Sequence, residues 1–132
     1  MATEKETVLL VDDEEIVVGV GRQMLERLGY SVLTAKNGLE AVDIYRGNQS
    51  SIGLIVLDLI MPGLEAGDTY DKLREVNPAV KVLLSSGYSL DQKTRDILDR
   101  GCSGFIQKPF NMKILKEKIE EIMGQDAQSA AS

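Results

Sequence analysis

Histidine is absent from this chain, cysteine occurs once in 132 residues, and no apolar run approaches the length of a membrane span. Each shortage excludes something. The lone thiol, Cys102, cannot close an internal disulfide, which suits a reducing compartment, and it reads as a small buried hydrophobe. The longest apolar stretch, residues 52–60, is interrupted by Asp58 and falls well short of the roughly 20 residues that a spanning helix needs. The opening "MATEKET" is polar and lacks the apolar core of a secretory signal. A cytoplasmic protein with no membrane insertion is therefore expected. Basic residues are outnumbered 15 to 21, for a net charge of −6 and a pI near 4.7. That balance disfavours direct contact with nucleic acid or anionic membranes. It leaves room for divalent cations and for a basic partner surface.

The apolar and charged fractions, 43% and 27%, are those of an ordinary globular domain. A chain of this length buries roughly two-thirds of its surface in one core. Along it, apolar runs alternate with helical periodicity. "TVLLV" (7–11), "SVLTA" (31–35), "IGLIVLD" (52–58), "KVLLSS" (81–86) and "GFIQ" (104–107) read as strands, the third being the most apolar and therefore central. The first helical pattern sets Val17, Val20, Met24, Leu25 and Leu28 on one face ahead of a stop at Gly29. The second carries Leu39, Val42 and Ile44; the third is expected to be capped near Asp68 and stopped by Pro78. The fourth ends at Gly101, and the fifth aligns Ile114, Leu115, Ile119, Ile122 and Met123. Residues 1–6 are expected to form a disordered segment and 124–132 a flexible tail, around one domain spanning 7–123. Five strands alternating with five helices specify an α/β fold with a parallel sheet covered on both faces.

In such folds ligands sit outside the carboxyl ends of the strands. Asp12 and Asp13 follow the first strand, Asp58 ends the third, Ser86 ends the fourth and Lys108 follows the fifth. Each has a bland alternative: Asp12 or Asp13 as a helix cap, Asp58 as a loop residue, Ser86 as a cap, Lys108 as a solvated charge. Together they put three acids, a hydroxyl and an ammonium on one rim of one sheet. Carboxylates about 4 Å apart repel by roughly 1 to 4 kcal/mol per pair, and a hard divalent cation relieves this. A metal beside a carboxylate can hold an incoming phosphoryl group, with Lys108 as a second cation and Ser86 as a hydroxyl donor. Asp58 is the best candidate nucleophile, since aspartyl phosphate formation is known carboxylate chemistry.

The segments "VLLVDDEE", "IVLDLIMPG", "VLLSSGY" and "GFIQKPF", in this order and spacing, closely resemble a response-regulator receiver domain of two-component signalling, over about residues 7 to 123. The resemblance implies a flavodoxin-like, doubly wound sheet with strand order 2-1-3-4-5. It implies that Asp58 is the phosphoacceptor, and that Asp12, Asp13, Asp58 and the Ile60 main-chain carbonyl bind Mg²⁺. Ser86 becomes the switch hydroxyl, Lys108 the phosphate-pairing lysine, Phe105 an aromatic whose rotamer follows phosphorylation, and Lys108–Pro109 a cis peptide. The implied partners are a sensor histidine kinase or phosphotransfer protein upstream and a downstream protein target reached by the fourth helix, fifth strand and fifth helix. Within the resemblance, "SSGYS" and "GFIQKPFNM" are similar to receivers of hybrid kinases. "MPGLEAGDTY" departs from the family pattern by one extra residue before Gly67.

Rival readings meet physical objections. A flavin-binding protein of this architecture offers phosphate a turn after the first strand, where "DDEE" repels it. A magnesium-dependent phosphohydrolase needs a residue to activate water, and the chain has no histidine to do so. A receiver-like scaffold that never takes phosphate has no use for so complete a site. The missing histidine also means that the phosphoryl donor lies elsewhere. The reading is thus a phosphoacceptor switch that assists its own chemistry, not a dedicated enzyme.

Ile60, two residues after the acceptor, is expected to impede the attacking water, and Tyr88, two after Ser86, to add shielding. Ile60→Asn should therefore shorten the phosphoryl half-life, followed as loss of adduct mass with time. An unchanged half-life would remove Ile60 from that role.

Overall fold

Successive side chains of a strand leave opposite faces of a sheet, and β3 (Ile52–Asp58) uses both. Its Ile55 and Leu57 enter one apolar layer, its Leu54 and Val56 another. A strand buried on both sides belongs at the centre of a sheet. The computed structural model describes residues 7–59, 65–87 and 92–131, with side chains to Gly124. Among these, β1 (Thr7–Val11), β2 (Ser31–Ala35), β3, β4 (Val82–Ser86) and β5 (Gly104–Gln107) form one parallel sheet in the order β2-β1-β3-β4-β5. Five helices connect and follow the strands: α1 (Glu15–Arg27), α2 (Gly38–Gly47), α3 (Ala66–Val76), α4 (Gln92–Asp99) and α5 (Met112–Ala131).

Side chains of α2, α3 and α4 (Ala41, Val42, Tyr45, Tyr70, Leu73, Ile97) close the layer over Ile55 and Leu57. Those of α1 and α5 (Leu25, Leu115, Ile119, Ile122) close the layer over Leu54 and Val56. Leu9, Leu57 and Leu83 are completely buried, each a contribution of roughly 1.5–3 kcal/mol. Among the described residues no helix is long and apolar enough to cross a membrane. The Cys102 thiol, which burial pushes up to about 11, points at the Val82 carbonyl and packs against the α3–α4 layer.

Several expected details shift. On α1 the buried stripe is centred on Gly21 and Leu25, and Val20, roughly a quarter turn away at 100° per residue, faces solvent. Leu39 on α2 is exposed for the same reason, the buried face there being Ala41, Val42 and Tyr45. The third helix starts at Ala66, with Glu65 at its N-cap, so Asp68 lies in the first turn, where the helix dipole favours an acid, and is not the cap. β4 begins at Val82, one residue later than expected. Helix α5 continues past Met123 to Ala131, through residues expected to form a tail. Residues 1–6 lie outside the described residues.

Helix α1 ends in a Schellman arrangement: the Gly29 N–H donates to Glu26 O and the Tyr30 N–H to Leu25 O, both at 3.0 Å. Gly29 has φ of 101°, and a Cβ added there would meet nothing within 4 Å. Gly29→Ala should therefore cost about 1–2 kcal/mol through backbone strain alone, read as a lower denaturation midpoint with unchanged slope. An unchanged midpoint would show that the turn relaxes at no cost.

Candidate functional site

Where β1 ends, the Asp12 N–H donates to Ala35 O at 3.1 Å, fixing the residue against the end of β2. The Asp12 carboxylate then turns back: its Oδ1 accepts the N–H of Glu14, the N-cap of α1, at 3.0 Å. This bend from strand to helix buries Asp12 and leaves Asp13 exposed. Of the two alternatives for these acids, Asp12 does hold the helix entry, by its side chain and from two residues before the N-cap.

Asp58 closes β3, buried and in register with Ser85 of β4. The Leu59 N–H donates to Ser85 O at 2.9 Å, so the strand pairing continues past Asp58 and holds it at the rim. Ser86, also buried, ends β4, and its carbonyl accepts the Lys108 N–H at 2.7 Å. That bond carries the lysine from the end of β5 to the rim, and the Lys108–Pro109 peptide that follows is cis. The Lys108 ammonium lies 2.9 Å from Asp12 Oδ2 and 3.2 Å from Asp58 Oδ1. Burial works against this ammonium, but the hydrogen bond to Asp12 and the charges of Asp58 and Asp12 outweigh burial and hold its pKa above the ordinary 10.5.

One carboxylate oxygen from each of Asp12, Asp13 and Asp58 falls within 4.8 Å of the others. With Lys108 the cluster keeps two net negative charges in a partly dry setting. Its donors are hard oxygens, two buried and one open to solvent, a set suited to a hard divalent cation reached from outside.

The structure therefore brings together Asp12, Asp13, Asp58 and Lys108, with Ser86 tied to Lys108 through its carbonyl. Phe105 does not join them: it is half-buried, in register with Leu84, and packs against the layer under α3 and α4. Ile60 and Tyr88 lie outside the described residues. Sequence reasoning missed Ser85, whose carbonyl positions the backbone beyond Asp58. Its one signal was a second buried hydroxyl in an apolar strand.

The sequence matches the family model of the response regulator receiver domain over residues 8–120. Over 117 residues, 89% of the chain, it is 33% identical to the sensor kinase CckA of Brucella abortus (strain 2308), of which it spans 12%. It spans half or less of several other curated relatives. Among solved structures, the receiver domain of the hybrid histidine kinase CckA aligns with a TM-score of 0.73 at 32% identity, covering 88% of this chain and 97% of that one. The CheX–CheY–BeF3–Mg²⁺ complex from Borrelia burgdorferi aligns with a TM-score of 0.84 at 26% identity, over 89% and 88% of the two chains.

A raised lysine pKa has a defined consequence for stability. The contribution of the Lys108 ion pairs is complete below pH 10.5, the unfolded value, and is lost as pH climbs through the higher folded value. Burial raises the Tyr45 and Tyr70 phenols as well, so they add alkaline losses of their own. The test is a difference: above pH 10.5, wild-type stability should fall more steeply than that of Lys108→Met. Parallel alkaline profiles by circular dichroism would mean that the pairs contribute nothing net.

Proposed function

The chain belongs to the response regulator receiver family of two-component signalling, and from that premise we propose that Asp58 accepts a phosphoryl group from a phosphohistidine of a partner histidine kinase or phosphotransfer protein. The observation that carries this reading is the Lys108 ammonium shared between Asp12 and Asp58, beside a third carboxylate. The ammonium lies 3.2 Å from Asp58 Oδ1, where it is placed to pair an incoming anion beside the attacking carboxylate.

In the proposed reaction an Asp58 carboxylate oxygen attacks phosphorus, the P–N bond to the donor imidazole breaks, and the electron pair leaves with that ring. Lys108 passes from pairing the free carboxylate to pairing a phosphoryl oxygen, so no charge is newly buried without a partner. Ser86 contributes a hydroxyl hydrogen bond to another phosphoryl oxygen. Asp12, Asp13 and Asp58 are the side chains that would hold Mg²⁺, with the Ile60 carbonyl as a further ligand; the ion supplies neutralisation of the developing negative charge. The product is an acyl phosphate on Asp58, later hydrolysed, so the chain is a switch that assists its own turnover and not a dedicated enzyme.

The readout we propose begins at Ser86. Its movement toward the phosphoryl group frees space for Phe105 to turn inward, which alters the surface of α4, β5 and α5 for a downstream protein target. This is a population shift between two states of one domain, residues 7–123, working in the cytoplasm.

Incubation with acetyl phosphate and Mg²⁺ should add a single phosphoryl mass to the wild type and none to Asp58→Asn, and withholding Mg²⁺ should also abolish it. An adduct that persists in Asp58→Asn would overturn the assignment of the acceptor.

A further inference from the structure

Helix α4, the first element after Ser86, is lightly seated. It has eight residues, of which Thr94 and Ile97 are buried, whereas α3 buries Ala66, Thr69, Tyr70 and Leu73. At its start Lys93 Nζ lies 3.9 Å from Glu65 Oε1 at the N-cap of α3, and closer polar ties to α3 follow its last turn. Immediately after α4, the Arg100 Nη1 donates to Asp71 Oδ2 at 3.1 Å and to the Gly67 carbonyl at 3.3 Å, both on α3. The Arg100 carbonyl in turn accepts from Nη1 of Arg74, whose guanidinium lies 5.7 Å above the centre of the Tyr70 ring. All of these partners belong to α3. Gly67 leaves the room: a Cβ there would stand 3.2 Å from Arg100 Nη1.

The two helices joined in this way follow the two strands that carry Asp58 and Ser86. Any displacement of α4 relative to α3 that accompanies a movement of Ser86 toward a phosphoryl group on Asp58 would therefore have to break these contacts. We propose that the clamp of Arg100 on Asp71 and Gly67 is a latch that favours the unphosphorylated position of α4, and so sets how readily this receiver switches. This rests on the receiver reading of the Asp58 site. An interaction made in one of two states shifts their balance, and by linkage it weakens any ligand that prefers the other state. The Arg100 and Asp71 side chains are 43% and 50% exposed, so the coupling belongs at the low end of the usual range, about fivefold in affinity.

The probe is beryllofluoride, a phosphoryl mimic, titrated at saturating Mg²⁺ into wild type, Arg100→Gln and Gly67→Ala. Gly67→Ala sets a Cβ 3.2 Å from Arg100 Nη1, so the guanidinium must shift by a few tenths of an ångström, while a better helix former enters α3 and offsets part of any lost contact. Both variants should bind beryllofluoride about fivefold more tightly, with the affinity for Mg²⁺ alone unchanged and amide exchange in Gln92–Asp99 faster. A general loss of stability would not produce that combination. Wild-type affinity for beryllofluoride in both variants would overturn the latch, however α4 exchanges. If the wild type neither binds beryllofluoride nor takes a phosphoryl group from acetyl phosphate, the receiver reading falls and the latch falls with it.

Discussion

One ammonium between two buried carboxylates is the constraint on which the rest of this molecule depends. Lys108 and Asp12 are 96 residues apart in the chain and 2.9 Å apart in space. The contact exists only once β5 has joined β4 and the Ser86 carbonyl has taken the Lys108 N–H. Removing one partner from such a group typically costs about 3–5 kcal/mol, because a charge is left buried alone. The arrangement therefore makes the site a product of the completed sheet and not of any local motif. It also sets the geometry of the site: the ammonium lies 3.2 Å from Asp58 Oδ1 and is outnumbered by three clustered carboxylates, a donor set that could hold a metal ion.

Much of this was legible in the sequence because strand ends are easy to find and the rim rule is geometric. Asp12, Asp58 and Lys108 each stand where an apolar run stops, and a parallel sheet brings those stops together. The even apolar character of residues 52–58 likewise predicted a central strand, because only a strand covered on both faces lacks alternation. What the pattern did not separate was Asp12 from Asp13. Their different burial follows from a backbone bend in which Asp12 accepts the Glu14 N–H, and composition carries no trace of that.

Other features escaped for definable reasons. Val20 and Leu39 are apolar but lie off the buried stripes by a fraction of a turn, which spacing alone resolves poorly. Glu65 leads into α3 by backbone geometry and uses no side-chain cap, so the acid that looked like a cap, Asp68, drew attention instead. The clamp of Arg100 on α3 links exposed residues about thirty positions apart, and no periodicity marks such a pair.

Family membership and site geometry meet in one physical account: three carboxylates partly offset by one lysine, which we propose receive a cation and then an anion. The most direct test is a calorimetric Mg²⁺ titration of wild type, Asp12→Asn and Lys108→Met without any phosphate donor. The account predicts one bound ion, weakened by at least about tenfold in Asp12→Asn (about 1.4 kcal/mol) and tightened in Lys108→Met, where the competing ammonium is gone. Binding that ignores Asp12, or that disappears with Lys108, would contradict it.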